Sequence, residues 1–239
     1  MDVFVIPIGA GKYALYCEPA SGAAADVQDG PPADTLVGKV RDRFARVVRA
    51  AEERQHRHGD VTATPGVIER GKDKVLAWVA QKVAEQRLLW NLRTEPSAVI
   101  LHPQDMTYDQ AMALVQRILK HDHARHKHWA WIDGIMAMVT GVLLGPLFIL
   151  IPGIANIPFL YFSFRAIGHW FSMRGAAHGL DQVSWSGRPC PPLGELRDIS
   201  ALEPGVREAR VHDIAARLRL QHLSAFVERV TLRHITPSM

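Results

Sequence analysis

The chain has 239 residues, 48% of them hydrophobic, a formal net charge of +4 and a pI near 9.3. That length holds one ordinary domain, or a membrane anchor with a modest soluble unit. The mild basic excess falls short of a dedicated nucleic-acid binder and suits either a solvated surface or an anionic membrane. Two cysteines, Cys17 and Cys190, make neither a metal-ligand pair nor a disulfide framework, which fits a reducing compartment.

The amino terminus, MDVFVIPIGAGKYALYCE, has no basic n-region and alternates like a strand. It reads as neither a secretory signal nor an Arg-rich transit peptide. Asp2 to Ile8 and Tyr13 to Glu18 are rich in Val, Ile, Phe and Tyr and flank Gly9-Ala10-Gly11-Lys12, which predicts a β-hairpin. The turn lacks the spacing and the Ser or Thr of a phosphate loop. Pro7 implies an edge strand, or a strand end without a ladder bond.

Pro19 to Asp34 reads as a loop. Leu36, Val40, Phe44, Val47 and Ala51 then repeat at helical spacing, with Gly59 as a C-terminal stop. Thr64-Pro65 opens a second helix that runs to about Leu92. Pro96 to Pro103 encloses a short apolar run, expected as a third strand beside the hairpin. Thr107 opens a further helix with Met112, Val115, Ile118 and Leu119 on one face.

That helix leads through His121, His123, His126 and His128 to Trp129 and Trp131. From Gly134 to Phe164 there are 31 residues without an Asp, Glu, Lys, Arg or His. A membrane-spanning helix needs roughly 20 apolar residues. Pro152-Gly153 is a turn signal, so the stretch predicts two helices joined near Pro152 to Asn156. Basic residues flank both ends of the pair and the turn has none, which puts both termini on the cytoplasmic side. After it, Ser184 to Pro204 reads as a linker, and Val206 to Leu232 is helical, with a break at Leu220-Gln221-His222.

The resulting expectation is a mainly α membrane protein with a small β element: a transmembrane helical hairpin plus a soluble α+β part. Its divisions are 1–128 (soluble α+β), 129–173 (transmembrane hairpin), 174–204 (linker) and 205–239 (C-terminal amphipathic helix). The expected partners are the lipid bilayer and a second copy or another protein, and no nucleic acid is expected.

Four residues are candidates for function. Arg165 and His169 lie one helical turn apart beside the second apolar segment, where ionisable groups need a reason to be. They are either functional or the polar end of a short helix. Asp133 is the nearest acidic partner for Arg165. Asn156, in the turn, caps backbone more readily than it binds an ion. The histidine run either ligates zinc or senses pH, or is an interfacial basic stretch. Its Lys and Arg neighbours repel a metal and favour the interfacial reading. No Ser-His-Asp, Cys-His or paired-carboxylate arrangement stands out, so no enzyme, cofactor or resident metal is expected.

The segment Gly145-Pro-Leu-Phe-Ile-Leu-Ile-Pro-Gly-Ile-Ala-Asn-Ile-Pro-Phe-Leu-Tyr-Phe-Ser-Phe-Arg-Ala-Ile-Gly-His-Trp170, followed by Arg174-Gly-Ala-Ala-His-Gly-Leu180, resembles the mitochondrial potassium–proton exchange-related family. Leu88-Leu-Trp-Asn-Leu92 and Val99-Ile-Leu-His-Pro103 are similar in order and spacing. The resemblance covers Lys74 to Leu180 well and the amino-terminal hairpin and last helix loosely. It implies a membrane protein involved in potassium–proton exchange or its regulation. The strand-like start points to a bacterial-type member in a cytoplasmic membrane. The alternative is a non-transporting, membrane-anchored adaptor whose soluble helices bind a protein partner.

Overall fold

A computed structural model of the protein describes residues 1–9, 11–18, 86–150 and 157–235. The expected helices from Leu36 and Thr64, apart from the end of the second, and the turn at Pro152 to Asn156 lie outside these residues. The chain divides into two compact units. The first comprises Met1–Ala20, Thr94–His121 and Ala177–Met239, the second Ser21–Arg93 and Asp122–Ala176.

The first unit is built on a four-stranded mixed sheet. Its strands are β1 (Asp2–Pro7), β2 (Tyr13–Tyr16), β3 (Ser97–His102) and β4 (Ser184–Pro189), in the order β2-β1-β3-β4. The predicted hairpin is present: β1 and β2 are antiparallel, with Phe4 opposite Tyr16 and Pro7 opposite Tyr13. The turn closes with Lys12 N–H on Gly9 O at 2.9 Å, and Gly9 and Gly11 take positive φ at little steric cost. β3 lies parallel to β1, with Val3 opposite Ile100, and β4 lies parallel to β3. β1 is therefore an inner strand. Pro7 is tolerated because the β3 ladder stops at Phe4, so no donor is missed at its position.

Alternation sorts the strand residues by face. Phe4, Ile6, Tyr16 and Leu101 share a buried cluster with Cys190, Leu193, Leu196, Val211, Ile214, Leu223 and Val227. Cys190 is the N-cap of α3 (Pro191–Gly194), and the other six come from α3, α4 (Pro204–Leu218), α5 (Leu223–Ile235) and the turns between them. The 174–204 stretch, expected as a linker, thus supplies the edge strand β4 and part of a core. With Trp185 as its one large apolar residue and five of its six positions exposed, the strand left no apolar pattern in the sequence. The break at Leu220 to His222 is where α4 ends: Arg219 adopts the left-handed conformation at φ 56°, and Leu220 N–H reaches back to Ala215 O at 2.8 Å.

α1 (Tyr108–Leu150) and α2 (Ile157–Asp181) connect β3 to β4. Thr107 opens α1 through a capping box. Gln110 N–H donates to Thr107 Oγ1 at 3.3 Å, and Thr107 N–H to Gln110 Oε1 at 3.0 Å. Pro158 sits in the first turn of α2, where a missing N–H costs nothing.

The transmembrane hairpin expected between Trp129 and Met173 is overturned, and with it the mainly α membrane class. Among the described residues no helix is long and apolar enough to cross a membrane. The fold is α/β with a mixed sheet. In α1 the uncharged residues run from Gly134 to the helix end at Leu150. At 1.5 Å per residue they reach about 25 Å, short of the roughly 30 Å hydrocarbon thickness. In α2, Arg165, His169 and Arg174 interrupt the apolar character. The 31-residue run without ionisable groups is shared between two helices, and each carries charge of its own.

The second unit packs α2 closely on the helical segment 86–92. A Cβ at Gly175 would overlap the carbonyl oxygen of Leu89. Trp90 Nε1–H donates to Ser172 Oγ at 2.9 Å, and Ser172 Oγ lies 2.9 Å from Gln86 Oε1 and 3.0 Å from Gly168 O. A hydroxyl carries one proton, so it donates to one of these two oxygens while it accepts from the indole.

Candidate functional site

α1 sets out from Thr107 with Ala111, Val115 and Leu119 buried, the i, i+4, i+8 face of an amphipathic helix. Farther along the same helix, in the second unit, the buried positions continue as His126, Asp133 and Ala137. Two ionisable side chains therefore occupy stripe positions that would otherwise be apolar. α2 supplies the opposing groups, Arg165 and His169, one turn apart.

Asp133 Oδ2 lies 3.2 Å from Arg165 Nε and 3.6 Å from His169 Nε2. The Asp133 side chain is 2% exposed, whereas Arg165 is 28% exposed and reaches water at its outer end. Oδ2 itself has no hydrogen bond of good geometry. The ion pair is held by proximity, an arrangement that leaves this oxygen open to a proton. Burial pushes the Asp133 carboxyl up from its ordinary value, and Arg165 acts in the opposite direction.

His169 reaches the other way, to His126. The two Nδ1 atoms are 2.7 Å apart and the ring centroids 5.0 Å apart. A contact that short needs one proton between the two nitrogens. His126 is held neutral: burial, then the charges of His169 and Arg125, lower it from 6.5 to about 3. With both rings neutral, one tautomeric assignment serves every contact. His126 Nδ1–H donates to His169 Nδ1, and His169 carries its proton on Nε2, facing Asp133. Aromatic rings frame the cluster. The Trp129 indole stacks on His169 at 6.4 Å and 26°, and the Arg165 guanidinium lies 5.7 Å over Trp129 and 5.5 Å over Tyr161. Arg165 also donates to Tyr161 Oη at 3.2 Å.

Three of the four residues singled out from sequence, Asp133, Arg165 and His169, are brought together here. Asn156 lies outside the described residues. His126 completes the group; sequence reasoning treated it only as part of the His121, His123, His126 and His128 run. The signal was its spacing of seven from Asp133, two helical turns on one face. His121 and His128 are exposed and His123 is half-buried, so the histidine run divides by helical face. Among the described residues no group of three or more His, Cys, Asp or Glu could hold a metal ion. Cys17 and Cys190 are buried and not joined in a disulfide, and burial pushes the Cys190 thiol up.

This geometry defines a mixed-sheet α/β protein with a buried, protonatable charge cluster between two helices of its second unit. The chain belongs to the mitochondrial K+-H+ exchange-related family, whose model matches residues 2–183. No curated protein and no solved structure matches it.

Proposed function

We propose that the protein is a proton-responsive factor in potassium–proton exchange, and that the Asp133–Arg165–His169–His126 cluster is where it takes up and releases a proton. The observation that carries this reading is the 2.7 Å contact between His126 and His169, continued by His169 to a buried carboxylate. The family description supplies the link to exchange. Exchange requires a membrane between two solutions, so the factor acts at one.

The cluster holds one proton between the two histidines, and burial disfavours a charge on His126. When the cluster takes up a proton on His126 Nε2 and the His126 Nδ1 proton passes to His169 Nδ1, His169 becomes an imidazolium that donates to His126 Nδ1 on one side and faces Asp133 on the other. His126 must remain neutral to accept that bond, and its burial keeps it so. Arg165 opposes the upward shift that burial imposes on the Asp133 carboxyl. Uptake of a proton therefore changes the balance of charge holding α1 to α2, a local electrostatic event of the kind that biases a switch.

The test is potassium-driven proton flux in membrane vesicles from cells whose own copy is deleted and replaced by variants. Arg165→Leu is expected to abolish the flux that the wild-type chain restores. Arg165→Lys keeps the charge but not the planar fork, and is expected to restore it in part. Full restoration by Arg165→Leu would remove the cluster from the function.

A further inference from the structure

The face of α1 turned away from Asp133 is apolar and uncovered. Trp131 is 68% exposed, Met138 62% and Val142 72%, and Ile135, Met136, Val139 and Leu143 are also exposed. At 100° per residue these seven span an arc of about 160°. A coiled-coil partner covers two positions in seven, a far narrower seam. An apolar surface this continuous marks an interaction site. Thr140 does not break it, because its hydroxyl donates within its own helix, to Met136 O at 2.8 Å or Ala137 O at 3.1 Å.

Charge indicates what covers the face. Arg125, Lys127 and His128 are exposed in the two turns before it, Arg125 and His128 on the same arc and Lys127 about 20° beyond its edge. Arg174 on α2 is exposed and lies 5.2 Å over the Trp170 ring. Between residues 123 and 143 the one carboxylate is Asp133, which is buried, and between 158 and 176 there is none. Trp129, Trp131, Tyr161 and Trp170 are partly exposed near these cations and the apolar face, a pairing that suits a membrane–water interface. A polyanion alone would leave the apolar arc without a use, and an apolar protein surface would leave the cations without one.

We infer that the exposed face of α1 from Trp131 to Leu143 docks on an anionic phospholipid surface, with Arg125 and Lys127 at the headgroups. This deepens the proposed role by naming its membrane contact, yet its test varies Lys127, Met138 and Val142, which take no part in the buried cluster.

The experiment is flotation of the full-length protein with phosphatidylcholine vesicles, with and without phosphatidylglycerol. Binding is expected only with the anionic vesicles and is expected to weaken with salt. Lys127→Gln should weaken it about fivefold, the worth of one cation near such a surface. Met138→Glu/Val142→Glu, at exposed positions, should abolish binding while thermal unfolding stays unchanged. Undiminished flotation of that double variant would overturn the proposal. So would light scattering that shows the wild-type chain dimeric and the double variant monomeric with vesicle binding intact, since the face would then join two copies. Failure here would leave the Arg165→Leu flux result standing on its own.

Discussion

At the scale of single residues, the least ordinary feature is a histidine where a helix stripe calls for an apolar side chain. His126 is neutral in the fold down to about pH 3, whereas an unfolded histidine takes a proton below 6.5. Between those values the unfolded chain binds more protons, so stability falls as pH falls through that window. The slope from this one group approaches about 1.4 kcal/mol per pH unit. Asp133 acts with the opposite sign. Its raised value means that its contribution is fully present below the ordinary carboxylate value of 3.8 and is lost as pH rises through its folded value. His126→Gln keeps a hydrogen-bonding side chain and removes the titration. The urea midpoint of the wild-type chain is expected to fall between pH 6.5 and 4, and that of His126→Gln to fall distinctly less. Parallel curves would show that His126 is charged in the fold.

The elements show how much of this was legible in advance. The hairpin, the third strand and the start of α1 follow from local chemistry: alternating apolar residues, Gly9 and Gly11, and the Thr107–Gln110 box. β4 does not, because Ser184-Trp-Ser-Gly-Arg-Pro189 is neither apolar nor clearly alternating, and its place is set by pairing with β3 along its whole length. The pairing of Asp133 with Arg165 was legible as an idea, since a buried charge needs a partner. The inward turn of His126 was hidden by its basic neighbours, which drew the whole run toward an interfacial reading. The membrane expectation failed for a related reason. A count of uncharged residues ignores that Asp133 is buried and that Arg165, His169 and Arg174 divide α2.

Close approach between elements yields a sharper test. Gly175 lies where the backbone of Leu89 leaves no room for a Cβ, and backbone cannot swing aside. Gly187 in β4 faces the ring of Tyr108 instead, which is partly exposed and can rotate away. Gly175→Ala is expected to destabilise by about 1–3 kcal/mol or more, the usual cost of overpacking, and Gly187→Ala by less. Chemical denaturation of both variants checks the order. Equal midpoints would mean that α2 and the 86–92 helix separate freely.

At the scale of the whole chain, the family match ends at residue 183, one residue before β4 begins. Yet Phe4, Ile6 and Leu101 are buried against side chains between Cys190 and Val227. Arg210 and Arg217 also converge on Glu195, whose carboxyl is held below its ordinary value by the hydrogen bonds from Arg217. The carboxy-terminal part thus completes the first unit's sheet and core. A chain cut after Val183 is expected to lose cooperative unfolding and to expose apolar surface to a hydrophobic dye. A truncated chain that unfolds with the wild-type midpoint would place the core elsewhere.

The link between the buried cluster and exchange is tested most directly by Asp133→Asn, which keeps the side chain's shape and removes its charge. The measurement is potassium-driven proton flux in deletion-strain vesicles across a pH series, with protein level and unfolding temperature recorded alongside. Because Arg165 reaches water, the variant is expected to fold and accumulate as the wild-type chain does. Its flux should be lost, or remain at a low level that no longer varies with pH. Wild-type flux with the wild-type pH profile from folded Asp133→Asn would contradict the account.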